Sequence, residues 1–126
     1  MKQKKIKLNY TMHSTHSKFQ SEFEGFAIKE IDHHCITYIY THDDVKTFVC
    51  IDQNSIALMR LDDGMTAVWM NEFDEGLIYK STSMGEWQIP IKKDFLHISD
   101  EEVTLSYHLL DHDEIVDTIT QTWEEL

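Results

Sequence analysis

The sequence predicts an all-β protein, a single antiparallel up-and-down β-barrel of about 8-10 strands occupying one domain, residues 1-126. Three observations carry this. Short runs of β-branched and aromatic residues recur every ten to fifteen residues between acidic or glycine-containing turns, while helical periodicity is weak throughout. Proline occurs once and glycine four times, with no repeat and no segment of linker composition. Asp62-Asp63-Gly64, set between two alternating runs, is a hairpin signal, because glycine accepts the positive φ that tight hairpin loops need. Successive hairpins imply up-and-down connectivity, and closure into a barrel is the arrangement that removes both sheet edges.

Ten segments follow. Residues 4–13 and 17–30 open the chain, and 33–41 and 45–52 come next. The third contains Ile36-Thr37-Tyr38-Ile39-Tyr40-Thr41, all strong strand formers, and the fourth Thr47-Phe48-Val49-Cys50-Ile51. Segments 55–61 and 65–71 flank the Asp62-Asp63-Gly64 turn, and 76–82 follows them. In segment 85–98, Pro90 predicts an edge or a bulge, since an interior strand tolerates proline poorly. Segment 102–110 is the clearest strand, with Val103, Leu105, Tyr107 and Leu109 on one face and Thr104, Ser106 and His108 on the other. Segment 114–124 sets Ile115, Ile119 and Trp123 against a run of threonines, and its apolar face also carries Asp117 and Gln121.

Composition narrows the function classes. A chain of 126 residues can bury a core without metal or disulfide staples. No apolar run approaches the ~20 residues of a spanning helix, and the basic lead MKQKKIKLNYTMHSTHSKF has no apolar stretch after it, so the expected location is cytoplasmic, with no membrane partner. Cys35 and Cys50 are then expected as free thiols. The formal charge of −12 disfavours nucleic acid, whose phosphates bind lysine and arginine. Seven of the eleven basic residues precede residue 47, and the chain from Asp100 onward holds nine acids, an uneven spread that suits a solvated acidic surface.

Asp32-His33-His34-Cys35, followed by His42-Asp43-Asp44, looks like a metal site or the motif of the membrane acyltransferases. The acyltransferase reading fails for want of membrane helices and a cysteine-rich domain. The metal reading fails on distance, because His34 and Asp43 stand at opposite ends of a strand ~20 Å or more in length, beyond the ~2 Å reach of any ion's ligands. With His42-Asp43 at the centre of a hairpin turn, Ile36 faces Val49, Tyr38 faces Thr47, Tyr40 faces Val45 and Cys35 faces Cys50. Lys46 then shares a face with Ile39 and Phe48, and a lone lysine is placed outward at lower cost than in a closed core. Ile39 and Phe48 become an outer apolar patch, a candidate homodimer interface. No cofactor is expected and no enzyme, since no nucleophile, base and orienting acid can be matched by spacing.

The hairpin order carries a further likeness. Gly25-Phe26, Met59-Arg60 before Gly64, Phe73-Asp74-Glu75-Gly76, Met84-Gly85-Glu86 before a long strand, Ser106-Tyr107, and the ending Asp117-Thr118-Ile119-Thr120-Gln121-Thr122-Trp123-Glu124 resemble the YwiB-like family, bacterial domains of unknown function. That resemblance implies a calycin/lipocalin-like barrel without an established activity. Lys92-Lys93 departs from the more neutral strand expected there.

The function expected is a barrel that binds a small organic ligand, apolar or acidic, in its lumen. Leu105, Tyr107, Ile119 and Trp123 would line the wall, with Asp117 and Gln121 as inward polar groups, and Arg60, the only arginine, would grip a carboxylate in two places. The alternative is a non-catalytic interaction or structural module with a filled core, acting as a homodimer. Small eight-stranded barrels are often filled by side chains.

Overall fold

Each alternating run becomes a strand that pairs with its neighbour in the chain. The computed structural model describes residues 2–126, which form eleven strands and no helix. They are β1 (Lys2–Ser14), β2 (Gln20–Asp32), β3 (Cys35–His42), β4 (Val45–Asp52), β5 (Ser55–Leu61), β6 (Gly64–Met70), β7 (Glu75–Ser81), β8 (Gly85–Ile89), β9 (Ile91–Ile98), β10 (Glu102–Asp111) and β11 (Glu114–Glu125). All pairings are antiparallel, in the sheet order β8-β7-β6-β5-β4-β3-β2-β1-β11-β10-β9, and the sheet curls into a nearly closed barrel. No helix among the described residues is long and apolar enough to cross a membrane.

The count exceeds ten because Pro90 divides the segment 85–98. Its two halves, β8 on β7 and β9 on β10, lie at opposite ends of the sheet order yet are joined by this single residue. Proline has no N–H to give to a ladder, so the chain breaks pairing there and crosses the seam. The seam is held by Leu110 N–H donating to the Pro90 carbonyl at 3.0 Å and by Lys93 N–H donating to Glu75 Oε1 at 3.1 Å.

The β3–β4 register is offset by two residues from the predicted one. Asp43 and Asp44, both with positive φ, form the turn, and His42 pairs with Val45 inside the ladder. Two consecutive residues with φ > 0 fit the twist of a two-residue hairpin, and aspartate tolerates that conformation. Tyr38 therefore faces Val49, Tyr40 faces Thr47, and Cys50 lies opposite Thr37 rather than Cys35. An offset of two keeps every side chain on its face, so Ile39 and Phe48 point outward as expected. Both thiols are free. Gly64 also differs from expectation: its φ is not positive, and glycine is needed because a Cβ would lie 2.3 Å from the Lys80 carbonyl oxygen on β7.

Inward residues form one core, with Leu8, Val49, Met70, Leu105 and Trp123 at its centre, essentially without solvent contact. Fully burying such side chains contributes ~1.5–3 kcal/mol each. The turns over 15–19, 43–44, 62–63, 82–84 and 112–113 gather at one mouth of the barrel, called upper below. Those over 33–34, 53–54, 71–74 and 99–101 gather at the lower mouth.

Candidate functional site

Burial alternates along β5: Ile56 and Leu58 are buried while Ala57, Met59 and Leu61 are exposed, which sends Arg60 inward near the upper mouth. Direct cross-strand pairing extends this position into an inward row, Tyr40–Thr47–Arg60–Thr66–Tyr79–Trp87, running from β3 to β8. At the β8 end Tyr79 and Trp87 stack with ring centroids 5.8 Å apart, and remain 36% and 42% exposed. Aromatic faces left open on the concave side of a sheet offer apolar surface to a ligand. Among the described residues Arg60 forms no ion pair.

Beneath Arg60 lies a floor of hydrogen-bonded aromatics. The Tyr10 hydroxyl donates to Gln121 Oε1 at 2.7 Å, Gln121 Nε2 donates to the Tyr107 hydroxyl at 3.4 Å, and Trp123 Nε1 donates to the Tyr40 hydroxyl at 2.9 Å. Trp123, 1% exposed, packs against Tyr10 at 5.4 Å between centroids, and Phe23 stacks on Tyr40 at 5.0 Å. Burial raises the phenol pKa values of Tyr40 and Tyr107 to about 12 and that of Tyr10 further still. The Arg60 charge pulls all three the other way. The Tyr40 and Tyr107 hydroxyls accept bonds from Trp123 and Gln121, and the Thr47 hydroxyl is a further hydrogen-bond neighbour of Tyr40. The upper floor thus presents a guanidinium and protonated phenols, groups suited to an anion.

Sequence reasoning named Arg60, Leu105, Tyr107, Ile119, Gln121 and Trp123, and the barrel brings these to one interior. Leu105 is fully buried, and Ile119, opposite Tyr107, packs on the core's edge. Asp117 lies elsewhere in role. Its carboxylate accepts from the His16 and Ser17 amides at 2.8 and 3.4 Å and from the Ser17 hydroxyl at 2.9 Å, fastening the β1–β2 turn to the rim. Those bonds, the His16 amide first, hold its pKa down at about 2. Tyr10, Tyr40, Tyr79 and Trp87 were missed. Chaining the hairpin registers outward from Arg60 would have found the last two; Tyr10 reaches the site through β1–β11 pairing, which no local signal announces.

A second charged cluster occupies the lower interior. Lys29 Nζ donates to Glu125 Oε2 at 2.7 Å, and the Tyr38 hydroxyl donates to the same oxygen at 2.6 Å. Burial, then the bond to Glu125, holds Tyr38 protonated well above its ordinary value. This cation has its anion built in.

Other groups of reactive types come together without a working order. On the outer face, Asp94 sits in the β9 bulge opposite Ser106 and Tyr107 and accepts from the Ser106 hydroxyl at 2.9 Å, with His108 Nε2 3.5 Å from its other oxygen. The serine is bonded to the acid rather than to the imidazole, and at 0% exposure it is closed to substrate. His33 lies in the β2–β3 turn with φ of 46°, whereas His42 lies at the far end of β3 against Phe23. Among the described residues no three His, Cys, Asp or Glu side chains converge on a point that could hold a metal ion.

No protein-family model matches the sequence, and no curated protein matches it. In fold the chain is similar to the YwiB protein from Bacillus subtilis, known from a crystal structure, at 18% identity and a TM-score of 0.68, covering 98% of this chain and 93% of that one. Its fold is therefore YwiB-like, as the order of short motifs along the sequence implied.

Proposed function

We propose that the protein binds a small organic acid at the upper mouth of the barrel and carries out no chemistry on it. The observation behind this reading is Arg60, which faces the lumen on the same cross-strand row as Tyr40 and Tyr79 and, among the described residues, forms no ion pair. A carboxylate there receives two parallel bonds from Arg60 and further bonds from the Tyr107 and Tyr40 protons. The body of the ligand lies along Tyr79 and Trp87, whose open faces supply apolar contact. Leu105, Gln121 and Trp123 act as floor rather than wall, because their packing fills the depth of the lumen.

Thermal shift with a panel of medium-chain and aromatic carboxylic acids, each beside its neutral amide, tests the reading. A bound acid raises the melting temperature by mass action, and its amide, lacking the charge, does not. Charge-assisted bonds to Arg60 contribute ~1.5–3 kcal/mol each, so Arg60→Met weakens binding by at least about tenfold. Silence across the panel, or equal binding by acids and amides, overturns it.

A second reading, the interaction module with a filled core, draws on the packing of Leu105, Gln121 and Trp123. It needs an apolar outer surface for a partner, and the exposed Phe26, Ile28 and Met59 on the outward side of β2 and β5 support it.

A further inference from the structure

The outward residues of β2–β5 form an apolar row at one level, Ile28–Ile39–Phe48–Met59, each directly opposite the next. Phe26, two residues from Ile28 on the same face, is 65% exposed, a large amount for a phenylalanine inside a strand. Beside it is a groove. Pairing between β2 and β3 runs only from Asp32–Cys35 to Ile28–Ile39; beyond that the strands part, β2 following β1 and β3 following β4. The parting leaves a cavity of about 270 Å³ lined mostly by apolar and aromatic residues, Phe26, Ala27, Ile28, Ile39 and Tyr40, together with Lys5 and Thr41. A knob and a hole of apolar character therefore lie side by side on one face.

We infer that this face binds a second copy of the chain about a two-fold axis, with Phe26 of each copy seated in the groove of the other. Both elements stand on one patch, and an isologous contact is the arrangement in which one patch satisfies itself. Aromatic side chains that fill a pocket at the centre of a contact are the usual anchors of an interface. At ~4.8 Å between strands and ~7 Å between same-face residues, Phe26 and the four residues of the row cover about 170 Å² of the face. A standard interface takes ~800 Å² per partner, so this apolar centre supplies the core of the contact and the rim around it most of the area.

The rim favours a second copy over other occupants. Lys7 pairs with Glu24 at 3.5 Å, Glu30 accepts from Gln3 at 2.7 Å, and Lys5 lies over the Phe26 ring at 4.3 Å. Lysines on β1 thus stand beside glutamates on β2, and a two-fold axis can set the lysines of one copy against the glutamates of the other. A membrane surface or a nucleic acid asks for one sign only. Sequence reasoning reached Ile39 and Phe48 on this face; Phe26 and the groove come from the structure.

Sedimentation from ~1 μM to ~1 mM measures the mass, a range that spans the affinities of small symmetric dimers. The wild-type protein moves from one protomer to two. Phe26→Asp stays at one while its melting temperature is kept, since most of the side chain already meets water; Met59→Lys, at the other end of the row, shifts the association in the same direction. Phe73→Asp, 93% exposed and off the patch, dimerises as the wild type does, and so does Arg60→Met, which separates this inference from the ligand reading. A wild-type protein of one protomer throughout overturns it. So does a Phe26→Asp protein that dimerises normally, or a mass that grows past two.

Discussion

At the lower end of the barrel Lys29 meets Glu125 and Tyr38; at the upper end Arg60 lies on one inward row with Tyr40 and Tyr79. Each group holds one cation among phenols on the inner face of the same sheet. Only the lower one contains an acid. A closed cluster such as Lys29–Glu125–Tyr38 satisfies its own charge and has nothing left to offer a ligand, whereas a guanidinium ringed by donors is stable only with water or a guest anion beside it. Residue type alone does not separate structural from functional charge inside a barrel. The position of the counterion does.

The comparison breaks most visibly at Glu125. Its side chain is 15% exposed and that of Lys29 10%, so Glu125→Gln strands a nearly buried ammonium without its counter-charge and puts an NH2 donor and a single acceptor oxygen where both Lys29 and Tyr38 donate. The expected loss is ~3–5 kcal/mol, read from urea denaturation midpoints. Replacing the whole cluster, with Lys29→Met, Tyr38→Phe and Glu125→Leu together, recovers most of it, because no charge or polar group is then left unpaired. A loss under ~1 kcal/mol for Glu125→Gln would show that solvent reaches this cluster and that the two ends are alike.

Arg60→Met sharpens the comparison from the other side. With no internal anion to strand, the substitution changes stability by less than ~1 kcal/mol, and a gain is as acceptable as a small loss, since a half-buried charge is replaced by an apolar chain of similar length. Urea denaturation without ligand reads this directly. A destabilisation equal to that of Glu125→Gln would mean that Arg60 answers an acid within the chain, and the upper mouth would lose its claim as a binding site.

The contrast between the ends was only half legible in the sequence. Period-two alternation placed Tyr107, Gln121 and Trp123 inside, because parity is a local property that survives a register error: the β3–β4 turn sits one residue along from its predicted place, the pairing shifts by two, and the faces of both strands are still right. Lys29 was invisible as an inward residue, since lysine in a strand reads as solvent-facing until its partner is known. That partner is 96 residues away on β11. Tyr10 escaped for the same reason, its link to Gln121 spanning 111 residues. Pro90 was legible as a break because the missing N–H is written in the residue itself, but its meaning, a seam crossing between sheet ends, required the order of all eleven strands. Asp117 illustrates the opposite error, a residue on the right parity whose carboxylate is taken by backbone donors from a turn a hundred residues earlier.

Asp117 also gives the smallest and most local test, of whether the rim of the upper mouth is held by an ionised group. Its folded pKa, about 2 against an ordinary 3.8, is lowered first by the His16 amide bond. Between those two values the unfolded chain binds more protons than the folded one, so stability falls as pH falls. The carboxylate's contribution is therefore complete above about pH 3.8 and gone once the pH has dropped through about 2. Asp117→Asn removes the charge while keeping one oxygen as acceptor. Its melting temperature lies slightly below the wild type at neutral pH, and the gap closes as the pH is lowered across that window. Hydrogen exchange at the His16 and Ser17 amides quickens in the variant, while amides flanking Lys29 are unchanged, because the lower cluster shares no bond with the β1–β2 turn. A gap that stays constant from neutral pH down to about 2 would mean that the turn is held by its backbone alone, including the Ser14 amide bond to the Phe19 carbonyl at 2.9 Å, and that the upper mouth needs no fixed charge to keep its shape.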